Sequence, residues 1–314
     1  MPSIYQDGIL NPMVITLKNN YFEAEINTKG AEINALRSKK TGSEFIWCGD
    51  PSVWKYHAPI IFPYVGRIRD GYIMIRGQKC ELGPNGFARD MEHRLISSTD
   101  TKAVFELTES EETLLKYPYR FSLKTSYELT DTGLSFKTTV TNTDSDVLSF
   151  SIGSHTAFNC PRNTDPQGTS VSDYCIEFEK KESLTQVKTI PEGFLTFGDD
   201  GVCPSVHPYG EKDAGIIPLT ADGFGNGHFF TAFNSDWAGL RNKKNNSIVK
   251  VTSKNYPYLM VWQNPGDPRF VCIEPWNGTP DAEATDHEWE NKTGLISLEC
   301  GETFTSDHSI TIEE

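Results

Sequence analysis

Three stretches of the chain carry side chains suited to moving protons or holding a polar ligand. In "SFSIGSHTAFNCP", Ser149 to Pro161, a strand-like alternation meets Gly153 and then presents His155 among small residues. In "VWQNPGDPRFVCIEPWNG", Glu274 ends an apolar run, a costly place for a carboxylate unless it is paired or used. Trp262 and Trp276 flank it, and such indole faces stack on sugar rings. In "HAPIIFPYVGRIRDGYI", Arg67 follows an apolar run and a glycine, where a guanidinium needs a partner and a ligand oxygen is one candidate. A fourth stretch, "ELGPNGFARDMEH", offers Arg89 and Asp90 after a tight Pro-Asn-Gly turn. An imidazole and a carboxylate form a complementary acid–base pair near neutral pH. The alternatives are a turn histidine, an edge glutamate paired with an arginine, and a surface Arg–Asp pair.

Metal chemistry finds no support in spacing. The seven histidines form neither HxH nor HExxH, and the seven cysteines contain no CxxC. "GFGNG" at 223–227 lacks the strand-before, helix-after setting of a phosphate loop and reads as an ordinary loop. "GSHTAFN" lacks the glycine-flanked serine of a nucleophile elbow.

The elements that must position these groups are strands. In "RFSLKTSYEL", Phe121, Leu123, Thr125, Tyr127 and Leu129 share one face, with Lys124 and Glu128 on the other. "LSFKTTVTN" repeats the pattern after a "TDTG" link suited to a short hairpin. "AVFELT", "SIVKVTSK", "YLMVWQN", "FVCIEPW" and "SITIEE" read as further strands. "ESEETLLKYP" allows one short helical turn before Pro118. Most links are rich in Gly, Pro, Asn and Asp, among them "CGDPSVW" and "TADGFGNGH", and 160–215 is the least patterned segment. The pattern predicts an all-β protein, a large antiparallel β-sandwich in one domain spanning 1–314.

Composition narrows the partners. The 314 residues are 37% hydrophobic and 23% charged, an ordinary globular balance. A net charge of −14 disfavours nucleic acid and anionic membrane. No run approaches the ~18 apolar residues of a membrane helix. The opening "MPSIYQDGIL" lacks a signal-peptide pattern, and an odd, scattered set of cysteines suits reduced thiols, so a cytoplasmic location is expected. The sequons at Asn245, Asn277 and Asn291 are then accidents of composition.

Taken together, "PIIFPYVGRI", "NGFARD", "SIGSHTAFNCP" and "CIEPWNG" resemble the aldose 1-epimerase (galactose mutarotase) family, and within it the branch of LacX-like proteins. The resemblance runs from "VITLKNNYFEAEINTKGAEINAL" to "LECGETFTSDHSITI". It implies a β-sandwich with a concave sugar-binding face. It also implies a general acid at His155, protonating the ring oxygen, and a base at Glu274, taking the anomeric hydroxyl proton. Arg67 would hold substrate hydroxyls, and Arg89 would support the same pocket. The family's histidine before "GFAR" is replaced here by Asn85, which can hydrogen-bond but carries no charge. For the family's aspartate after the long loops, Asp222 and His228 are the candidates. No cofactor or metal is implied, and the expected partner is a small sugar bound by a monomer or homodimer. Three readings follow: an epimerase of a free hexose or related sugar, a hexose-6-phosphate 1-epimerase suggested by the two arginines, and a sugar-binding module that has lost catalysis.

Overall fold

Alternation on two neighbouring strands decides which way the main sheet faces. Phe121–Thr130 buries every second residue, as predicted, and pairs antiparallel with Gly133–Asn142. Lys102–Thr108 and Thr303–Glu313 continue the ladder on either side, within a nine-stranded sheet that runs from Ile216–Pro218 to Arg94–Ser98. An eight-stranded sheet lies against it, ordered Val206–Pro208, Thr185–Val187, His228–Thr231, Tyr258–Trp262, Phe270–Asn277, Ile152–Ser154 and Ile60–Ile61. Its eighth strand, Thr156–Asn159, also pairs with Phe270–Asn277. This computed structural model describes residues 12–198, 201, 203–225 and 227–314, plus the backbone of 5–6 and 9–10.

The inner faces of the two sheets meet in one core. Phe105, Tyr127, Ile176, Leu240, Val251 and Ile310 from the first sheet pack against Phe230, Leu259, Val261, Val271 and Ile273 from the second. Each such side chain is worth about 1.5–3 kcal/mol when fully buried, so the inner face of each strand is strongly specified. The second face of the eight-stranded sheet turns away from that core. It carries Phe270, Cys272, Glu274 and Trp276 from one strand and Met260 and Trp262 from the next.

The short helical turn expected before Pro118 is the helix Glu111–Lys116, capped by Ser110. The all-β expectation holds, with antiparallel sheets throughout. All seven cysteines remain thiols. Among the described residues, no helix is long and apolar enough to cross a membrane.

Candidate active site

The stretch around His155 is not a strand ended by glycine. Leu148–Phe150 pairs with Ile296–Leu298 in a separate ribbon, and the chain then enters the eight-stranded sheet as Ile152–Ser154. Gly153 lies inside that strand, opposite Trp276, and a Cβ there would fall 2.5 Å from the indole Cδ1. Glycine is needed because the tryptophan lies across the backbone.

Register then fixes the candidate pair. Gly153 faces Trp276 and Thr156 faces Ile273, so His155 stands directly across from Glu274. Cross-strand neighbours hold their Cβ atoms about 4.5–5.5 Å apart. Here His155 Nδ1 lies 3.4 Å from Glu274 Oε1. The His155 backbone N–H donates to Pro59 O, and Ala157 N–H donates to His57 O, tying the strand on its other side. Asn159 Nδ2 donates to the carbonyls of Glu44 and Ile46, fixing the far end.

Both groups are withdrawn from water, His155 at 8% exposure and Glu274 at 1%. His155 Nδ1 and both Glu274 oxygens lack a hydrogen-bond partner. Burial pushes the Glu274 carboxyl well above the usual range, against the opposing pull of the nearby Trp276 indole and the Arg89 charge. Burial, with the Arg89 charge adding to it, pushes the His155 imidazole down to about 3. Burial therefore disfavours the charged form of each partner, and the two groups titrate as a coupled pair.

A cavity of about 400 Å³ opens over this pair, lined by Trp54, Tyr56, Arg67, Asn85, Arg89 and Trp262 among others. Trp54 stacks on the His155 ring at 4.8 Å between centroids and 29° between planes, and Trp262 meets it edge-on at 5.9 Å. Trp54 is itself held by the Trp47 indole N–H, which donates to its carbonyl, and by Phe270 behind it. Trp262 Nε1 donates to Gly225 O.

The two arginines sit at the rim in different states. Arg67 is exposed, and its Nη1 donates to Glu192 O across the opening. Arg89 is largely buried, donating from Nη2 to Pro84 O, with its guanidinium 4.4 Å from the centre of the Tyr56 ring and Nε 3.7 Å from Asp90 Oδ2. Its turn is docked by Gly86, at φ +67°, with the Phe87 and Ala88 N–H groups donating to Phe62 O. A Cβ at Gly86 would fall 2.0 Å from that carbonyl oxygen.

Three candidates stand differently from their expectation. Asn85 lines the cavity, but its Oδ1 accepts from Gly66 N–H at 2.7 Å while its own N–H donates to Gly66 O. That amide ties the two rim turns together. His228 does not line the cavity. It pairs with Val261, whose side chain enters the core, so period-2 alternation turns the imidazole inward between Tyr209 and Phe224. Gln186 and the Tyr209 hydroxyl take its ring nitrogens. Asp222 is exposed in the loop before that strand and is absent from the cavity wall. Conversely, Trp54, Tyr56 and Met260 line the cavity without having been singled out. The signal for Trp54 was an indole inside the loop "CGDPSVW", where small polar residues suffice.

A buried His–Glu pair under an aromatic wall, on the outer face of a β-sandwich, is a setting suited to a polar ring-shaped ligand. The sequence pattern of the aldose 1-epimerase family matches residues 13–311, and the chain belongs to that family. Protein LacX of Lactococcus lactis subsp. lactis is 27% identical, over 96% of this chain and 99% of its own. The X-ray structure of a galactose mutarotase related enzyme from Lactobacillus acidophilus superposes with a TM-score of 0.85 at 30% identity, covering 96% of this chain and 98% of that one. A galactose mutarotase-like protein from Lactobacillus casei gives 0.85 at 28%, covering 96% and 100%. Family and fold together define a sugar epimerase, an enzyme of the isomerase type.

Proposed function

We propose that this protein is a cofactor-independent aldose 1-epimerase that interconverts the α and β anomers of an unphosphorylated hexose or closely related sugar. The observation that carries the reading is the buried, cross-strand His155–Glu274 pair, unpaired by any other group and opening onto a monosaccharide-sized cavity.

Anomer exchange needs a proton on the ring oxygen and the loss of one from the anomeric hydroxyl. With both partners uncharged, the pair supplies both through one imidazole. Glu274 passes its proton to His155 Nδ1, His155 releases the Nε2 proton to the ring oxygen, and the Glu274 carboxylate takes the anomeric proton. The C1–ring oxygen bond breaks, and the open-chain aldehyde rotates about C1–C2. Closure on the other face runs the same transfers backward, restoring the acid and the original imidazole tautomer. The 3.4 Å separation tightens as substrate fills the cavity. Positioned proton transfers of this kind each contribute about 10²–10⁴-fold. Trp54 and Trp262 offer faces for the apolar side of the sugar, and Arg67 offers donors to its hydroxyls.

The state of Arg89 favours a neutral sugar over a phosphorylated one. Its guanidinium is held by one hydrogen bond to Pro84 O and by the Tyr56 ring, and the Asp90 carboxylate 3.7 Å from Nε offsets the charge that would attract a phosphate. Polarimetry of fresh α-glucose, α-galactose and other aldoses, with glucose 6-phosphate alongside, tests the reading. A catalysed decay for one or more free sugars is expected. Failure to exceed the spontaneous rate on every sugar would overturn it, and a large preference for the phosphorylated sugar would replace it with the phosphohexose reading.

A further inference from the structure

A third group lies buried beside the His155–Glu274 pair, packed among Trp47, Ala157 and Phe270. Cys272 lies two residues before Glu274 on the same strand and faces the same way, diagonally across from His155. The Cys272 thiol, a ring nitrogen of His155 and a Glu274 carboxylate oxygen all lie within 4.8 Å of one another. All three residues are buried, and the histidine Nδ1 and both carboxylate oxygens have no hydrogen-bond partner. Neighbouring strands supply the three ligands, from positions 155, 272 and 274, which is why no spacing motif in the sequence announces them.

From this arrangement we infer that the site also binds a single thiophilic divalent cation of the zinc class through His155, Cys272 and Glu274, and that the bound cation shuts the enzyme off. The donor set is one nitrogen, one sulfur and one oxygen, which suits zinc or cobalt and not magnesium or calcium. Ligand distances of about 2.0–2.3 Å in a tetrahedral zinc site put ligand atoms about 3.4–3.6 Å apart. The His155–Glu274 edge is already 3.4 Å, so only the edges to the thiol must close, from at most 4.8 Å to about 3.4–3.6 Å. The fourth position points into the cavity, where a water or a sugar hydroxyl completes the tetrahedron. Binding expels the thiol proton and the carboxyl proton to solvent, with no redox change. A cation there occupies the two atoms between which the proposed proton transfer runs, so metal and catalysis exclude each other. The inhibitory half of the inference rests on the proposed epimerase reading; the binding half does not.

The experiment is a titration of chelator-treated protein with Co²⁺ and Zn²⁺, reading metal binding and mutarotation separately. One equivalent of Co²⁺ should give a thiolate-to-cobalt charge-transfer band, and Zn²⁺ should displace it. Cys272→Ala and Cys272→Ser should each lose the band and weaken Zn²⁺ binding by roughly tenfold or more. A Cys48→Ser, Cys203→Ser, Cys300→Ser variant, which lacks the exposed thiols, should keep it. For each protein, the ratio of rates with Zn²⁺ and with EDTA should be small when Cys272 is present and near one when it is replaced. Near-ultraviolet circular dichroism checks that both Cys272 variants fold, and the exposed-thiol variant keeps the test decisive if they do not. Absence of stoichiometric binding, or a band that follows the exposed cysteines, overturns the inference. Binding at Cys272 with an unaltered rate overturns its inhibitory half. A protein that binds metal at Cys272 but never epimerises any sugar leaves the site standing and removes the function reading.

Discussion

The outward faces of the two large sheets are built on opposite rules. On the nine-stranded sheet, polar groups facing solvent are matched across the strands: Lys137 with Asp307 at 3.2 Å, Lys102 with Glu128 at 3.0 Å, and the hydroxyls of Thr141 and Thr303 at 3.0 Å. On the outer face of the eight-stranded sheet, His155 Nδ1, Glu274 Oε1 and Oε2, and Trp276 Nε1 are buried without hydrogen-bond partners. Each unsatisfied buried group costs about 1–3 kcal/mol, whereas exposed pairs contribute about 0–1 kcal/mol. The molecule satisfies polar groups where they matter little to its energy and leaves them unsatisfied where it costs most. That inversion sets the outer face of the eight-stranded sheet apart as the candidate site.

The strongest way to break the comparison is to neutralise the costly face. Glu274→Gln should lower the mutarotation rate by about 10²–10⁴-fold in polarimetry, and His155→Asn should do the same. Retention of more than a third of the rate in either variant would sink the assignment. The same Glu274→Gln change carries a stability signature of known sign. A carboxyl held above its ordinary value favours the fold at acid pH and loses that advantage as pH climbs past about 4.5 toward its raised folded value. The variant should therefore melt at or above the parent at pH 8, by calorimetry, while being nearly inactive.

Trp54→Ala should cost less, about 3–10-fold in kcat/KM, since an aromatic contact is worth about 0.5–1.5 kcal/mol beyond its area. A change confined to melting temperature would show that the stack is packing alone.

Burial without function supplies a third test. His308 sits in the core face of the nine-stranded sheet beside Phe136 and Tyr256, with both ring nitrogens unpartnered and burial holding it down to about 3. Burial holds His93 and His228 down to about 4. Depressed histidines stabilise the fold fully above their ordinary pKa of about 6.5, and that stability drains as pH falls toward the folded values. The melting temperature should fall steeply between about pH 6.5 and 4, and His308→Leu should blunt the fall without altering the rate at pH 7. An equally steep fall in the variant would remove His308 from the account. The smallest effect belongs to the matched face, where Lys137→Ala should shift stability by less than about 1 kcal/mol.

How much of this the sequence disclosed follows from what local pattern can carry. Strand existence and inner faces were legible because period-2 alternation is written residue by residue, as in Phe121–Thr130. His155 and Glu274 stood out as a histidine and a carboxylate in apolar strands, but their juxtaposition required a register that no local pattern encodes. The same missing register hid the role of Gly153 and the inward turn of His228, whose facing is set by its partner Val261. Trp54 and Asn85 act from loops, where identity says little until the chain folds back. Nothing in the local pattern set Cys272 apart from the other cysteines, because its neighbour His155 lies across the strand.

The in-register placement of His155 and Glu274 also bears on how such a protein can change. The distance between these two groups is set by the hydrogen-bond spacing of the sheet, a ruler common to every antiparallel pair. The groups that meet the ligand's periphery, Trp54, Arg67 and Arg89, hang from connections that tolerate insertion and drift. Selectivity can therefore be rewritten by loop exchange while the chemical step stays calibrated. An engineer seeking a new substrate should graft the rim and leave the strands alone.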